Sequence, residues 1–395
     1  MRAAGRQASV VESGGPARSE RCRVAHVITD LDIGGAERML VKLLEAVHPA
    51  IDNLVVTLCE PGPLAAEIER LGIPVVSLGL ARGEVRLAAL LRAVRTLRGF
   101  RPHVLQSWMY HADLLATLVF VMSGRPALAW NLRCADMELE RYSPITRCVR
   151  GVLARLSRVP RVVVCNSRAS RDAHAAYGYR PRRWELIPNG FDTAVFRPSP
   201  TAARRLREEF GLEAANRVVG MVARRDPAKD HETLLAAAAR VCGVHPEVRF
   251  LLVGSGVPAL APRMQALGLA GRVLLEEARS DVAGLTAGLD LCVLSSAFGE
   301  SFPNALGEAM ACGVPCVSTD VGDVADLLAD CGLVVPRRDP AALAGALCEA
   351  LAWSPAERER RARRGRERIE RDYALDTIAA RYRTLFEALR PACAA

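Results

Sequence analysis

Two glutamates in the stretch FGESFPNALGEAMACGVP (298–315) are the residues of this sequence best suited to chemistry. Glu300 and Glu308 have seven residues between them, most of which are apolar or small. Ser301 is a good helix cap and Pro303 suits an early helical position, so the pattern predicts that a helix begins there. Glu300 would lie in the loop before this helix and Glu308 inside it. The two carboxylates would then face one cleft from two levels.

Each carboxylate also has an ordinary structural explanation. Glu300 would be a solvated loop residue, and Glu308 would form a salt bridge on the flank of its helix. Glu308 has Leu306 and Ala309 as neighbours, however, and solvation alone explains an acid in such surroundings poorly. We therefore interpret both glutamates as candidate ligand-binding residues.

A second group of candidates lies in GMVARRDPAKDHETLLAAAA (220–239), where Arg224 and Lys229 occupy a loop after a predicted strand. Two cations at the carboxyl end of a strand suit a diphosphate, although surface cations on a solvated loop are the simpler explanation. Lysine is rare in this chain, which uses arginine almost throughout and has Lys42 as its only other lysine. That rarity favours a specific role for Lys229.

The third candidate is the glycine pair in ITDLDIGGAERM (28–39), between a predicted strand and a predicted helix. Gly34 and Gly35 would let the backbone approach a ligand closely, and the first turn of the helix would favour an anion. A Gly-Gly turn before a helix is more often only a turn, so this motif alone is a weak signal.

The elements that must position these residues follow from alternating strand-like and helix-like patterns. Strand-length apolar runs alternate with helical periodicity, which is typical of parallel sheets covered by helices on both faces. The sequence therefore predicts an α/β protein with two doubly wound, Rossmann-like domains that face each other across a deep cleft, the default binding site. The predicted strands are 23–29, 53–59, 74–79, 103–108, 127–133 and 161–167, then, after a loop at 187–200, 217–224, 248–256, 272–277, 290–296 and 315–319.

Composition narrows the classes of function. The 395 residues carry a formal charge of +9, which suits an anionic ligand or membrane surface. No basic stretch has interleaved aromatics and the twelve cysteines form no C-x-x-C pair, so we expect neither a nucleic-acid partner nor a zinc site. The first twenty residues lack the apolar stretch of a signal peptide, and no apolar run is long enough to cross a bilayer, so we expect a cytoplasmic location.

Five motifs in order resemble retaining glycosyltransferases of family 4, which have the GT-B fold. The stretch from Glu300 to Pro315 is similar to the family's donor-site signature. The other four are IGGAERM, similar to its glycine-rich loop, IPNGFDTAVFRP, similar to its interdomain linker, VARRDPAKDHETLL, similar to its basic phosphate-binding loop, and VPRRDPAALAGAL, similar to its C-terminal region. The resemblance covers nearly all of the chain from about residue 22.

The residue patterns and the resemblance together divide the chain into four regions. Residues 1–21 would be a disordered lead-in, 22–190 an acceptor-side domain, and 191–372 a nucleotide-sugar donor domain. Residues 373–395 would form a C-terminal helix that returns to the N-terminal domain.

It also implies roles for single residues. Glu308 would bind the ribose hydroxyls of a nucleotide sugar, the backbone of 302–305 would support the sugar and its phosphate, and the strand end at 274–276 would meet the base. The donor-binding residues would be Gly34, Gly35, Leu274, Glu276, Phe302, Pro303, Asn304, Ala305 and Glu308. The residues nearest the chemistry would be Glu300, Arg224, Lys229 and His111.

The implied reaction retains anomeric configuration and releases a nucleoside diphosphate. Arg224, Lys229 and a helix N-terminus would stabilise the developing phosphate charge, and we identify no D-x-D motif, so we expect no metal and no other cofactor. The family is thought to use same-face attack, in which the donor phosphate accepts the proton of the acceptor. Glu300 is therefore interpreted as a ligand of the donor sugar and not as a nucleophile.

Several residues depart from the family's pattern. Histidines often follow two strands of the N-terminal domain, but here Gln106 and Trp108 stand near the first position and only His111 is kept. Arg133 lies near the second position, so whether His111 or Arg133 serves the acceptor stays open. Gly307 replaces a larger apolar residue, and Asp323 and Asp326 stand in a loop that often reads G-G-x-x-E.

Two other classes of function stay open. One is a different enzyme on the same architecture, such as a phosphorylase or a nucleotide-sugar epimerase, and the other is a non-catalytic nucleotide-sugar-binding protein. The favoured prediction is a glycosyltransferase of cell-surface polysaccharide or glycolipid synthesis, with a sugar or lipid-linked acceptor. The donor, acceptor, linkage and oligomeric state do not follow from the sequence.

The segment YSPITRCVRGVLARLSRVPR (142–161) predicts an amphipathic helix that begins after Ser143. We expect its apolar face to dock on the sheet and its basic face, together with the basic segment 357–368, to attach the protein loosely to an anionic membrane at the inner face. The apolar face would hold Ile145, Val149, Val152, Leu153, Leu156 and Val159. The basic face would hold Arg147, Arg150, Arg155, Arg158 and Arg161.

Overall fold

The computed structural model describes residues 21–390, apart from residues 49, 85, 136, 137 and 139–142. All of the predicted lead-in except Arg21 lies outside the described residues, as do residues 391–395 of the predicted C-terminal helix.

The N-terminal part of the chain forms a seven-stranded, all-parallel sheet in the order β3-β2-β1-β4-β5-β6-β7. Its central strands are almost wholly buried because helices cover both faces, which explains their continuous apolar sequences. The strands are Cys22–Ile28 (β1), Ile51–Thr57 (β2), Val75–Ser77 (β3), Val104–Trp108 (β4), Ala127–Leu132 (β5), Val162–Cys165 (β6) and Trp184–Leu186 (β7).

A second, six-stranded parallel sheet follows in the order β10-β9-β8-β11-β12-β13. In both sheets the strand order reverses beside the first strand, and a crevice opens at the carboxyl ends of the strands at such a point. The predicted fold class, an α/β protein with two doubly wound parallel sheets, is therefore confirmed. The strands are Arg217–Val222 (β8), Val248–Val253 (β9), Val273–Glu276 (β10), Leu291–Leu294 (β11), Cys316–Thr319 (β12) and Leu333–Val335 (β13).

Fifteen α-helices connect and cover the strands in the described residues. They are Gly35–Val47 (α1), Ala65–Arg70 (α2), Leu87–Phe100 (α3), Tyr110–Val119 (α4), Pro144–Leu156 (α5), Arg168–Tyr177 (α6), Ala202–Glu209 (α7), His231–Val244 (α8), Ala261–Ala266 (α9), Val282–Ala287 (α10), Asn304–Ala311 (α11), Val324–Leu328 (α12), Pro340–Ala352 (α13), Pro355–Asp372 (α14) and Leu375–Leu389 (α15).

Each sheet has its own apolar core. The cores of the first sheet hold α1 on one face and α3 and α4 on the other, and the buried side chains of α15 join the α1 face. The core of the second sheet holds side chains of α7, α8, α11, α13 and α14. We call β1–β7 with α1–α6 and α15 the first half, and β8–β13 with α7–α14 the second half.

The chain passes between the halves twice, and the two passages are hydrogen-bonded to each other. The amide of Phe191 donates to the carbonyl of Tyr373 at 2.9 Å, and the amide of Leu375 donates to the carbonyl of Phe191 at 2.9 Å. The ring of Phe191 packs on α11 at Gly307, where any Cβ would overlap it. The departure at Gly307 therefore has a packing explanation.

The amphipathic prediction for α5 is partly wrong. The residues of α5 that are buried are Val149, Arg150 and Leu153, whereas Ile145 and Val152 on the predicted apolar face are exposed. The guanidinium of Arg150 leaves the predicted basic face because it packs over the ring of Tyr177, 4.0 Å from its centroid.

No helix in the described part of the chain is both long enough and apolar enough to span a membrane.

Candidate functional site

The candidate carboxylates lie where the carboxyl ends of β8 and β11 meet the start of α11. Ser295, directly after β11, donates from its hydroxyl to the carbonyl of Lys229 at 2.9 Å. The loop after β11 is thereby tied to the loop after β8, because neighbouring parallel strands end at the same edge of the sheet.

Glu300 and Lys229, which the sequence places 71 positions apart, form an ion pair in this edge. The hydroxyl of Ser296 donates a second hydrogen bond to Oε1 of Glu300 at 2.8 Å. The side chain of Glu300 is 12% exposed, so the carboxylate is held by two neighbours and is not the solvated loop residue of the simpler explanation.

Glu308 forms the second ion pair, and its partner comes from the other half. Lys42 on α1 places its ammonium 3.0 Å from Oε1 of Glu308, and both side chains are less than one-fifth exposed. Glu308 therefore forms a salt bridge, as its ordinary structural explanation expected, but this salt bridge joins the two halves of the protein. The only two lysines of the chain thus pair with the two glutamates of the E-x7-E motif.

Arg224 remains largely exposed beside this edge. Its guanidinium lies 3.1 Å from Oδ2 of Asp226, and its side chain is 55% exposed. The loop after β9 packs closely here, since the amide of Arg225 donates to the carbonyl of Ser255 at 2.8 Å. A Cβ on Gly254 would overlap the backbone of this phosphate-binding candidate, so glycine permits the close approach.

The glycine pair opens α1 from the first half and faces α11. Gly34 is the N-cap residue and has no side chain with which to cap the helix. The carboxylate of Glu37 folds back over Gly34, where it leaves no room for a Cβ, and its burial raises the pKa of Glu37. A Cβ on Gly35 would lie 3.5 Å from Nδ2 of Asn304, so the pair adjoins the start of the helix that carries Glu308.

The predicted cap of α11 is wrong. The N-cap residue is Pro303, and no side chain in the described part of the chain accepts a hydrogen bond from the first turn, which begins at Asn304 and Ala305. The hydroxyl of Ser301 points away from the helix because it donates to Asn166 of the first half. The first turn of α11 is therefore left without a side-chain cap at the boundary between the halves.

Asn189, in the passage between the halves, orders the start of α11. Its Nδ2 donates to the carbonyl of Phe302 at 2.8 Å and to Oδ1 of Asn304 at 2.7 Å. Phe302 is itself buried and stacks on Phe191, with ring centroids 6.2 Å apart. The sequence interpretation assigned no role to Asn189.

Two of the predicted donor residues lie farther along the sheet. Leu274 and Glu276 belong to β10, which is the edge strand and is separated from β11 by β9 and β8. Leu274 packs partly against the core, and the carbonyl of Glu276 accepts from the amide of Gly254 at 3.0 Å. The structure thus ties Glu276 to the loop beside Arg224 but not to the two glutamates.

His111 lies in the first turn of α4 and is half-buried. Burial lowers the pKa of His111 and so favours the neutral form of its ring. No contact in the described residues brings it to Glu300, Glu308 or Lys229. Nearby, Trp108 is a core residue whose indole donates to Nδ1 of His26 at 3.3 Å, which explains one departure from the family's pattern.

A further departure from the family's pattern is the loop with Asp323 and Asp326, and this loop joins the halves. The carboxylate of Asp323 accepts from the amides of Arg168 at 2.7 Å and Ala169 at 2.8 Å, so it caps α6 of the first half. Asp326 forms an ion pair with Arg168 at 3.2 Å. Both contacts lie on the exposed side of the boundary.

The metal-independent interpretation overlooked Asp30-Leu31-Asp32, a D-x-D sequence before the glycine pair. One guanidinium nitrogen of Arg82 lies 2.9 Å from Oδ2 of Asp30 and 3.3 Å from Oδ2 of Asp32. In the described residues, no group of three or more His, Cys, Asp or Glu side chains has the arrangement of a metal site.

Sequence reasoning missed Lys42, Asn189, Ser296 and Asp323. Lys42 had one usable signal, its rarity as a lysine, which was applied only to Lys229. Asn189 stands in a quoted motif but was interpreted as a turn residue. No local pattern marks Ser296 or Asp323, because their partners lie in distant parts of the chain.

Two family models match this chain, and between them they include most of the motifs described above. Residues 33–195 match the model described as Glycosyltransferase Family 4, and residues 216–352 match the model described as Glycosyl transferases group 1.

Two D-inositol 3-phosphate glycosyltransferases are among the similar curated proteins. The one from Segniliparus rotundus is 36% identical over 165 residues, which are 39% of this chain and 35% of that protein. The one from Mycobacteroides abscessus is 37% identical over 182 residues, which are 43% of this chain and 40% of that protein. The matched stretches therefore span less than half the length of these relatives.

Solved structures share the whole fold. HepE from Anabaena, solved with UDP and glucose, has a TM-score of 0.83 at 23% identity and covers 93% of this chain and 100% of that chain. WaaG, a glycosyltransferase involved in lipopolysaccharide biosynthesis, has a TM-score of 0.71 at 16% identity and covers 92% of this chain and 99% of that chain. At these identities the likeness shows a shared fold, which is GT-B.

Proposed function

Because this chain belongs to glycosyltransferase family 4 and has the GT-B fold, we propose that it transfers a sugar from a nucleotide-sugar donor to an acceptor. The transfer retains anomeric configuration and needs no metal ion. The observation that carries the proposal is the ion pair of Glu300 with Lys229 beside the uncapped first turn of α11.

Each part of this edge suits one part of a nucleotide sugar. The first-turn amides of α11 and the ammonium of Lys229 would stabilise negative charge as it develops on the leaving diphosphate. Arg224 is exposed and can reach an outer phosphate oxygen by exchanging its partner Asp226. Glu300 and Glu308 accept hydrogen bonds, so they suit the sugar and ribose hydroxyls respectively.

The ligand would take over contacts that the protein now makes with itself. The only two lysines of the chain form ion pairs with Glu300 and Glu308. The carboxylate of Glu37 fills the space over Gly34. A diphosphate would give Lys229 a new charge partner, and hydroxyls of the sugar and the ribose would donate hydrogen bonds to Glu300 and Glu308 in place of the two ammonium groups. We propose this exchange as the first event of donor binding.

Same-face attack fits the surroundings of Glu300 better than a covalent intermediate. Ser296 donates to the carboxylate of Glu300, and hydroxyls of the donor sugar would donate to it as well, so it would be a weaker nucleophile than a free carboxylate. The donor phosphate would then take the proton of the acceptor hydroxyl.

The relatives suggest where to begin with substrates. HepE was solved with UDP-glucose, and the curated relatives are named for D-inositol 3-phosphate. UDP-glucose is therefore the first donor to test, and phosphorylated polyols and lipid-linked sugars are the first acceptors, consistent with polysaccharide or glycolipid synthesis.

Release of nucleoside diphosphate tests the proposal. Purified protein with UDP-, GDP- or ADP-sugars should release the diphosphate faster when an acceptor is present, and Lys229→Ala should abolish the release. A non-catalytic binding protein would bind a nucleotide sugar without any release. An epimerase would convert the donor sugar without an acceptor, which chromatography of the nucleotide sugars would detect.

We also propose loose attachment to an anionic membrane at its cytoplasmic face, through an exposed surface of α5. Ile145 is 53% exposed and Val152 is 38% exposed, and Arg155 and Arg158 are exposed beside them. Arg158 also lines a surface hollow with Arg180 and Arg182. The basic segment 357–368 contributes less than expected, because most of its arginines pair with acids, as Arg364 does with Asp330.

Co-sedimentation with vesicles tests this attachment. The protein should bind anionic vesicles more strongly than neutral vesicles, and salt should weaken the binding, since each cation near the surface contributes about 1 kcal/mol. The double variant Ile145→Ser and Arg155→Ser should bind less than a control with Arg364→Ser. Equal binding to both kinds of vesicle would contradict the electrostatic part of the proposal.

A further inference from the structure

The guanidinium of Arg133 lies in a cluster of polar side chains, and its hydrogen-bond acceptors in the described residues are all neutral. It follows β5 at the carboxyl edge of the first sheet. One terminal nitrogen donates to Oδ1 of Asn131 at 3.3 Å and to the hydroxyl of Tyr382 at 3.2 Å, and the other donates to Oδ1 of Asn189. No carboxylate in the described part of the chain lies within ion-pair distance of it.

The group is also fixed in place. Its central carbon lies 5.3 Å from the centroid of the Trp108 ring, and Trp108 is fully buried. Tyr382, on the other side, is buried in the core that α15 shares with the first sheet. A flat cation held by an aromatic face and three oxygen acceptors loses little further freedom when it binds an anion.

Arg133 is connected directly to the start of α11. Asn189 accepts from Arg133 and donates to both the carbonyl of Phe302 and the side chain of Asn304. Gly35 approaches the same Asn304 from the glycine-rich turn. The cation, the glycine turn and the uncapped helix start therefore converge on one point.

The carboxylate of Glu37, which folds over Gly34, acts electrostatically on Arg133 without forming an ion pair with it. Burial lowers the pKa of Arg133, whereas Tyr382, Cys165 and Glu37 act in the opposite direction. An anion placed between Arg133 and the first turn of α11 would satisfy both groups at once.

We propose that Arg133 binds the distal phosphate of the nucleoside diphosphate. This inference rests on the proposed function. It adds a cation from the first half to Lys229 and Arg224 from the second half, so the phosphate that carries the sugar would be held from both sides of the boundary. The residue that stands near a usual histidine position would then serve the leaving group, not the acceptor.

Calorimetric titration with UDP, UMP and uridine tests the assignment, with GDP and ADP used in place of UDP if they bind more tightly. Arg133→Met keeps the apolar stem over Trp108 but removes the charge. It should weaken binding of the diphosphate by about tenfold or more and leave UMP and uridine within about twofold. Arg133→Lys should fall between, because lysine keeps the charge but lacks the planar fork.

Two controls separate the contact from the architecture. Arg95→Met removes an exposed arginine of α3 and should leave all three affinities unchanged. Tyr382→Phe removes one acceptor of Arg133 but keeps the cation, so it should weaken UDP less than Arg133→Met does. If Arg133→Met does not fold, Arg133→Gln, which removes the charge but keeps a polar side chain, takes its place, and an affinity for UDP equal to that of the unchanged protein overturns the assignment.

The other possible results of the titrations also overturn the assignment in distinguishable ways. Unchanged affinity for UDP in a folded Arg133→Met overturns the assignment but leaves the proposed function intact. An equal loss for UDP and UMP places Arg133 at the proximal phosphate and overturns the distal assignment. If the unchanged protein binds none of UDP, GDP and ADP, the proposed function fails, and the assignment fails with it.

Discussion

The ammonium of Lys42 lies 3.0 Å from Oε1 of Glu308, although 266 positions separate the two residues in the chain. Lys42 belongs to the helix that follows the glycine pair, and Glu308 belongs to the helix that follows Glu300. The ion pair therefore connects the glycine-rich motif directly to the motif that contains the two glutamates. Since both side chains are mostly buried, the pair is screened less by solvent than a surface ion pair is.

A double-mutant cycle on this pair should show strong coupling. Lys42→Met leaves Glu308 buried without its cation, so we expect a loss of about 1.5–3 kcal/mol in the free energy of unfolding. Lys42→Met combined with Glu308→Leu should cost less than the sum of the single changes, because neither charge is then left alone. Urea unfolding of the four proteins measures the coupling, and a value near zero would show that the contact contributes nothing.

Gly307→Ala should destabilise the protein although alanine favours helices. The added methyl group would overlap the ring of Phe191, which is tied to Tyr373 and Leu375 in the second passage between the halves. Overpacking of this kind typically costs about 1–3 kcal/mol.

The matched control for Gly307→Ala is Gly345→Ala. Gly345 lies inside α13, where a Cβ would meet nothing within 4 Å, so alanine there should stabilise by up to about 1 kcal/mol. Thermal unfolding should move the two variants in opposite directions. An equal shift of both would disprove the packing argument.

The fold could be predicted from the sequence to a large extent because its signals are local. Strand-length apolar runs and helical periodicity are properties of neighbouring residues, and two doubly wound sheets followed from their alternation. The helix that carries Glu308 was predicted, but its cap was not. Ser301 had the right type for a cap, yet its hydroxyl found Asn166, which lies 135 positions earlier.

The sequence could predict the carboxylates and the cations of the candidate site, but only as separate sets without their pairing. The motifs identified Glu300, Glu308 and Lys229, but not which cation meets which carboxylate. Lys42 and Asp323 connect halves of the molecule, and spacing along the chain says nothing about such contacts. The prediction that Arg150 lies on the exposed basic face of α5 was wrong for the same reason, since its partner Tyr177 lies on another helix.

Acid should destabilise the protein partly through His174. Its Nδ1 lies 2.7 Å from the carbonyl of Ser170 and must donate, so Nε2 accepts from the hydroxyl of Tyr110 at 2.9 Å. Burial lowers the pKa of His174 from 6.5 to about 4. The unfolded chain therefore takes up a proton between pH 6.5 and 4 that the folded chain does not, and stability is lost as the pH falls through that window.

The comparison is with His174→Gln, which cannot titrate. Between pH 6.5 and 5 the free energy of unfolding should fall by about 2 kcal/mol more in the unchanged protein than in the variant. Denaturant unfolding at the two pH values measures this difference. Parallel losses in both proteins would show that His174 does not titrate as described.

Removal of divalent metal should leave the transfer reaction intact. Lys229, Arg224 and the first turn of α11 supply the positive charge that a metal would otherwise provide. The measurement is nucleoside diphosphate release with and without EDTA. Loss of activity that magnesium or manganese restores would refute metal independence, and Asp30→Asn and Asp32→Asn would then be the variants to examine.

Binding of a nucleotide sugar tests the central claim most directly. Thermal unfolding of the protein with UDP-, GDP- and ADP-sugars should show stabilisation by one of them, worth about 2.7 kcal/mol at a hundred times its dissociation constant. Lys229→Ala and Arg224→Ala should remove most of this stabilisation, whereas Arg263→Ala, which breaks an exposed ion pair with Glu232, should keep it. Stabilisation by none of the nucleotide sugars, or equal stabilisation of all four proteins, would contradict the site described here.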